Sequence, residues 1–217
     1  FGDYTSNIAI GQWSIAEGSG TPEDPYIINT ASELAYIAIA GYDATNDKIF
    51  KIADGIENIV LQSYAYGTDI MALDSAADVK AYFEGLASPK NWVYKSYQDY
   101  VFAGTFDGNG TTVYGLYSTD ATGGARIASL FPLVEGNATI KNIALENSYL
   151  KTTSTSANYN FGGLIGSTPG LSQNSNADDS GIVWVDSCTV ANNYMYAEPN
   201  NIKRAGLVVG NIQDDTV

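Results

Sequence analysis

The spacing of apolar and polar positions changes its rhythm near residue 100. Before it, Gly18-Ser19-Gly20-Thr21-Pro22-Glu23-Asp24-Pro25 is a turn-rich run, and Tyr26-Ile27-Ile28 behind it reads as a short strand. Thr30-Ala31-Ser32-Glu33 then spells a capping box, with the Thr30 hydroxyl at the N-cap and the Glu33 carboxylate returning to the Thr30 N–H. Leu34, Ile37 and Ala38 follow at helical spacing until Gly41, which predicts one short amphipathic helix. Lys48 to Ile52 alternates, with Phe50 and Ile52 on one face of a strand. Ser75-Ala76-Ala77-Asp78 is a second capping signal. Val79, Tyr82, Phe83 and Leu86 form one helical face behind it, and Ser88-Pro89 stops that helix. Residues 91–100 are the most aromatic stretch of the chain.

From Phe102 onward, short apolar runs are separated by Gly, Asn, Ser and Thr, and no helical period is sustained. The runs also resemble one another. Asn142 to Leu150 aligns with Ser187 to Met195, 45 residues later, pairing Ile143 with Cys188, Leu145 with Val190, Asn147 with Asn192, Tyr149 with Tyr194 and Leu150 with Met195. Gly162-Gly163-Leu164-Ile165-Gly166 recurs as Ala205-Gly206-Leu207-Val208-Val209-Gly210, 43 residues after. Repetition at nearly one offset predicts a solenoid, in which each coil buries its inward side chains only by stacking on its neighbours. A sandwich would predict hairpin turns instead of aligned repeats. In a solenoid the recurring Asn would form ladders and Gly would permit sharp corners. The last residues, Gly210 to Val217, read as the start of another coil, so further coils, domains or a neighbouring subunit are expected at the C-terminal end.

Composition narrows the chemistry. The chain has no histidine and one cysteine among 217 residues. That excludes Ser-His-Asp and Cys-His catalysis, His-ligated zinc and a disulfide framework. A net charge of −14 opposes phosphate backbones, so no nucleic-acid partner is expected. No run approaches 18 uninterrupted apolar residues, so no membrane span is expected. The start at Phe1-Gly2-Asp3 is read as a mature or excised chain whose export signal has been removed, and the acidity as solubility outside the cell. Cys188, in an alternating run, is expected to be a buried, inert thiol. Asn109-Gly110-Thr111 and Asn137-Ala138-Thr139 spell glycosylation sequons, which chance occurrence in an Asn/Thr-rich chain explains adequately.

Residues 20–34 and Phe102-Ala103-Gly104-Thr105-Phe106-Asp107-Gly108-Asn109-Gly110, together with Gly163-Leu164-Ile165-Gly166, resemble bacterial surface proteins that carry GLUG repeats. Ser129-Leu130-Phe131-Pro132 looks like a copy with Pro where Gly is usual, and Gly206-Leu207-Val208-Val209-Gly210 like a copy with one extra residue. The resemblance covers most of residues 13–60 and 101–217. It implies a mainly β fold, a right-handed parallel β-helix, on an exported or surface-anchored protein of adhesin type, with no catalytic residues. The expected layout of the single domain, 1–217, is an N-terminal cap and first coil at 1–60, an insertion at 61–100 and regular coils at 101–217, continuing in a longer parent protein.

Function is therefore expected to be a non-catalytic module for adhesion to a host or matrix glycan or protein, or a structural spacer, with no cofactor and no metal. Two alternatives stand beside it: a carbohydrate-active β-helix enzyme and a self-assembling subunit. Glycoside cleavage needs two carboxylates facing each other about 5–10 Å apart. Asp178-Asp179, Asp214-Asp215 and Glu23-Asp24 are sequence neighbours, which on a strand point to opposite faces. Asp107-Gly108-Asn109-Gly110 has the first oxygens of a calcium loop without the rest and reads as a tight turn. The candidate ligand-binding residues are Trp92, Tyr94, Tyr97 and Tyr100, whose planar rings could form a platform for sugars. The competing reading is that they cover the solenoid flank and anchor the insertion.

Overall fold

The computed structural model describes residues 15, 17–61, 69–92, 101–119, 127–153, 159–168, 181–197 and 203–212. The chain is mainly β, and the strand pairs among these residues are parallel. Four sheets are built in rotation. The first pass of the chain lays down β5 (Thr105–Tyr114), β6 (Tyr117–Thr119), β7 (Ile127–Ala128) and β8 (Phe131–Val134), one in each sheet. A second pass adds β9 (Thr139–Glu146), β10 (Tyr149–Thr152), β11 (Tyr159–Gly162) and β12 (Ile165–Ser167) in the same order. A third adds β13 (Trp184–Asp186) with β14 (Thr189–Ala191), then β15 (Tyr194–Ala197), β16 (Lys203–Gly206) and β17 (Val209–Asn211).

An incomplete pass precedes these. β1 (Tyr26–Ile28) pairs with β2 (Ile49–Ile52), and β2 and β3 (Asn58–Val60) lie side by side with the two halves of β5. β4 (Val101–Phe102) joins β8. Helix α1 (Ala31–Ile39) covers this end. It buries Leu34, Ala35, Ile37, Ala38 and Ile39, each large apolar side chain contributing about 1.5–3 kcal/mol. Its cap matches the predicted box with one change. Thr30 Oγ1 accepts from the Glu33 N–H at 3.1 Å, but the Glu33 carboxylate accepts from the N–H of Asn29, at 2.7 Å. A short helix α2 (Tyr42–Thr45) follows, and Thr45 Oγ1 accepts from the Ala103 N–H at 3.0 Å, tying the cap to the incoming pass.

Inside the sheets, residues of period two meet in layers. Phe50 and Ile52 are buried as their alternation predicts. Phe50, Phe102, Phe131 and Phe106 form a chain of tilted rings with centroids 5.2–5.7 Å apart. The repeated asparagine has a conformational cause. Gly115, Asn147 and Asn192 occupy one column, at the corner between the first and second sheets, with φ of 79°, 53° and 54°. That left-handed backbone favours Gly and tolerates Asn. The expected ladder is not what Asn147 makes: its Nδ2 donates to the carbonyl of Ile70 at 2.8 Å, outside the sheets.

The register departs from the expected one in two places. The glycine corner recurs at 44 residues, because Gly162 pairs with Gly206 and Ile165 with Val209. Gly206-Leu207-Val208-Val209 therefore has no extra residue, and it is the first-pass corner, Ser129 to Phe131, that is one residue shorter. Val209 to Asn211 close the third pass against β12 instead of opening another; residues 213–217 lie outside the described residues.

The region predicted as an insertion leaves the sheets after Leu61. Within it a 3-10 turn spans Asp69–Ala72, and helix α3 spans Ala76–Gly85 with Ser75 as its N-cap. Ile70, Val79, Phe83 and Tyr149 form a second core on the outer side of the β6-β10-β15 sheet.

Candidate interaction surface

The third pass differs from the two beneath it in what its inward residues touch. Val185 pairs with Ile140, Val190 with Leu145, Met195 with Leu150 and Val209 with Ile165. The second-pass partners are fully buried, whereas Val190, Met195 and Val209 are half-buried and Val185 is 38% exposed. Among the described residues, the large apolar side chains that stand exposed all belong to this pass and its approach: Ile182, Trp184, Val185, Tyr196, Leu207 and Ile212. Among the described residues no further strand pairs with β13 to β17, and an exposed apolar layer of this kind is a docking surface in a stacked architecture.

A charge column runs to the same edge. On the outer face of the first sheet, Lys51 stands beside Asp107, Asp107 beside Lys141 and Lys141 beside Asp186. Lys141 Nζ lies 3.3 Å from Asp107 Oδ2, and Asn142 Nδ2 donates to Asp107 Oδ1 at 3.0 Å. Burial alone would raise the Asp107 carboxyl, but these donors and the Asn109 N–H outweigh it and hold the group below its ordinary range. Lys51 is held above its ordinary range chiefly by its hydrogen bond to Asp54, at 2.7 Å, with Asp107 adding attraction. The Asp107-Gly108-Asn109-Gly110 segment is a bulge in β5 in which the Asp107 carboxylate accepts from the Asn109 N–H at 2.9 Å. Asp186, the last member of the column, is exposed at the edge of the third pass.

On the second sheet the column is aromatic. Tyr117, Tyr149 and Tyr194 stack with centroids 5.4 and 5.0 Å apart, and Phe83 of α3 stacks on Tyr117 at 5.3 Å. These rings face outward, beneath the insertion, while Leu150 and Met195 next to them point into the sheets. The Tyr149 hydroxyl donates to Glu84 Oε1 at 3.1 Å, and Lys80 binds Glu84 Oε2 at 2.6 Å. The Lys80 hydrogen bond is the main reason that Glu84 sits below the usual carboxylate range. Burial, together with the Glu84 carboxylate, pushes the Tyr149 phenol up.

Trp92 does not form a ligand platform. It is 2% exposed and its Nε1–H donates to the Leu130 carbonyl at 2.9 Å. Its backbone N–H bonds to the Tyr117 carbonyl at 2.7 Å, which brings the end of the insertion alongside β6 and turns the indole into the core. Tyr94, Tyr97 and Tyr100 lie outside the described residues, as do Asp178-Asp179 and Asp214-Asp215. Cys188 is half-buried, not fully buried, and burial raises its thiol above the ordinary range. A polar cleft of about 220 Å³ lies at the corner where Gly104, Thr105 and Asn137 meet Tyr42, Asp47 and Lys48; its lining holds one carboxylate, that of Asp47. Among the described residues no group of three metal-ligating side chains converges, and no helix is long and apolar enough to cross a membrane.

The exposed columns escaped the sequence reading because exposure is a property of the last layer and not of any motif. The charge column was within reach, since Lys141 and Asp186 are separated by the same 45 residues as the aligned repeats.

No family profile matches the chain, and no solved structure matches it. It is similar to halomucin of Haloquadratum walsbyi, at 29% identity over 131 residues. That stretch is 60% of this chain and 1% of halomucin, so the chain spans a very small part of the relative it matches.

Proposed function

We propose that the chain is a non-catalytic, extracellular or cell-surface spacer, a right-handed parallel β-helix of the GLUG-repeat type within a longer surface protein. The observation that carries this reading is the difference between the two ends of the stack. One end is covered by the apolar face of α1, and the other presents a layer of half-buried and exposed apolar side chains. An exposed apolar layer on parallel strands fits a rod whose partners at that face are further coils or domains. Similarity to halomucin, a mucin by name, supports the extracellular setting. The burial of Trp92 favours a spacer over an aromatic ligand platform, with adhesion to a host or matrix glycan or protein as the alternative. A carbohydrate-active enzyme would need two facing carboxylates; the cleft beside Gly104 offers Asp47.

Protease shaving of intact source cells tests the setting: peptides from this chain are expected in the released fraction. Their absence, with the chain recovered from lysed cells, would refute the surface assignment. A glycan and matrix-protein array separates the roles. Silence fits a spacer, binding fits adhesion, and release of new reducing ends from a bound glycan would establish the enzyme instead.

A further inference from the structure

We propose that the open end accepts one further parallel coil of the same polypeptide, and that this coil carries a lysine or arginine in the Asp186 column. The proposal rests on the β-helix reading and deepens it by naming the chemistry of the partner. Three columns reach the edge of the third pass in register with the passes beneath. The inward column ends in Val185, Val190, Met195 and Val209, all stacked on buried aliphatic residues. The aromatic column ends in Tyr194, whose ring lies 5.0 Å from that of Tyr149. The charge column alternates in sign from Lys51 through Asp107 and Lys141 to Asp186. Directly opposed side chains on neighbouring strands stabilise when unlike in charge and destabilise when alike. The next member of this column is therefore a cation.

A second copy of the chain does not supply that partner. Stacked head to tail, it would present the end covered by α1, where Leu34, Ile37 and Ala38 are already buried against the core. Stacked end to end about a two-fold axis, it would run its edge strands antiparallel to these and bring together two chains of net charge −14.

The test extends the chain with its own second coil. A copy of residues 134–168 placed directly after Asn211 repeats the natural step from Leu133 to Thr139, because Asn211, Ser167 and Leu133 share one column. The copied Lys141 then falls opposite Asp186. Hydrogen exchange of the β13–β17 amides and the thermal midpoint are compared for the original chain, the extended chain and the extended chain with Lys141→Glu in the appended copy. Protection of β13 and β14 should rise at least about tenfold on extension, and the charge-reversed copy should melt about 2–4 °C below the matched one. Equal midpoints for the two extended chains would overturn the charge rule and leave the spacer reading standing. No added protection from either copy would overturn the spacer reading with it. A concentration-dependent dimer of the original chain by light scattering, with β13 protected in the dimer, would overturn the parallel coil in favour of a second copy.

Discussion

Replacing Phe83 with alanine isolates the bond between the insertion and the sheets. Phe83 is 2% exposed and sits on α3 with its ring 5.3 Å from Tyr117, 5.6 Å from Tyr149 and 5.4 Å from Tyr82. Truncating a buried phenylalanine to alanine costs about 3–5 kcal/mol, from lost transfer free energy and the cavity left behind. The aromatic pairs account for part of that, at about 0.5–1.5 kcal/mol each. None of these partners points into the sheets, because the tyrosine column faces outward while Leu150 and Val113 belong to the separate inner core. The loss should therefore fall on a local opening of residues 69–86. At about 1.4 kcal/mol per tenfold, exchange of the Val79–Glu84 amides should accelerate at least a hundredfold in Phe83→Ala, while β9 amides keep their rates. Native-state hydrogen exchange at several urea concentrations resolves the two. Uniform acceleration across α3 and β9 would refute the separation of the cores. Acceleration below tenfold at α3 would refute the weight assigned to Phe83.

Other consequences are equally open to measurement. Gly115 shares its left-handed column with Asn147 and Asn192, so Gly115→Asn should cost under about 1 kcal/mol in urea unfolding and Gly115→Val several times more. A Cβ on Gly162 would overlap the Ile165 carbonyl oxygen and lie 2.7 Å from the Gly210 nitrogen, so Gly162→Ala should lower the thermal midpoint sharply or abolish soluble expression. Trp92→Ala should destabilise by about 3–5 kcal/mol, and Trp92→Phe by less, with any array binding unchanged in the folded Phe variant. Asp107 is held below its ordinary range when folded, so its contribution is complete above about pH 4 and is lost as pH falls through the lower folded value. Asp107→Asn should therefore flatten the acid limb of a stability–pH curve without moving the plateau slope above pH 5.

The short-range features of this chain were legible in its residues. Both helix caps, the strand at Phe50 and Ile52, and the pairing of Tyr149 with Tyr194 follow from side-chain chemistry within a few residues or from repetition at a constant spacing. The helix at Ala76–Gly85 was readable, but not its partner. Its face of Val79 and Phe83 is complementary to a column of tyrosines 34 or more residues away, and nothing local states which sheet it will cover. Trp92 shows the same limit. An aromatic on an alternating run can face either way, and its direction was decided by the Tyr117 carbonyl that captures its backbone.

Taken alone, then, the sequence determined what each segment can be: where a helix starts, where backbone must turn left-handed, which positions alternate and which segments are copies. Those depend on backbone sterics and local hydrogen bonds. The 45-residue offset was legible in the aligned repeats, but only the tertiary structure decided the register of 32–34 residues between the first and second passes and of 44 residues at the glycine corner. Register depends on loop lengths summed around four sheets, and differences of one or two residues are absorbed at the bulge in β5 and at the shorter Ser129–Phe131 corner, so the columns stay aligned on either side. From it come the buried tryptophan, the outward tyrosine stack and the alternating charges.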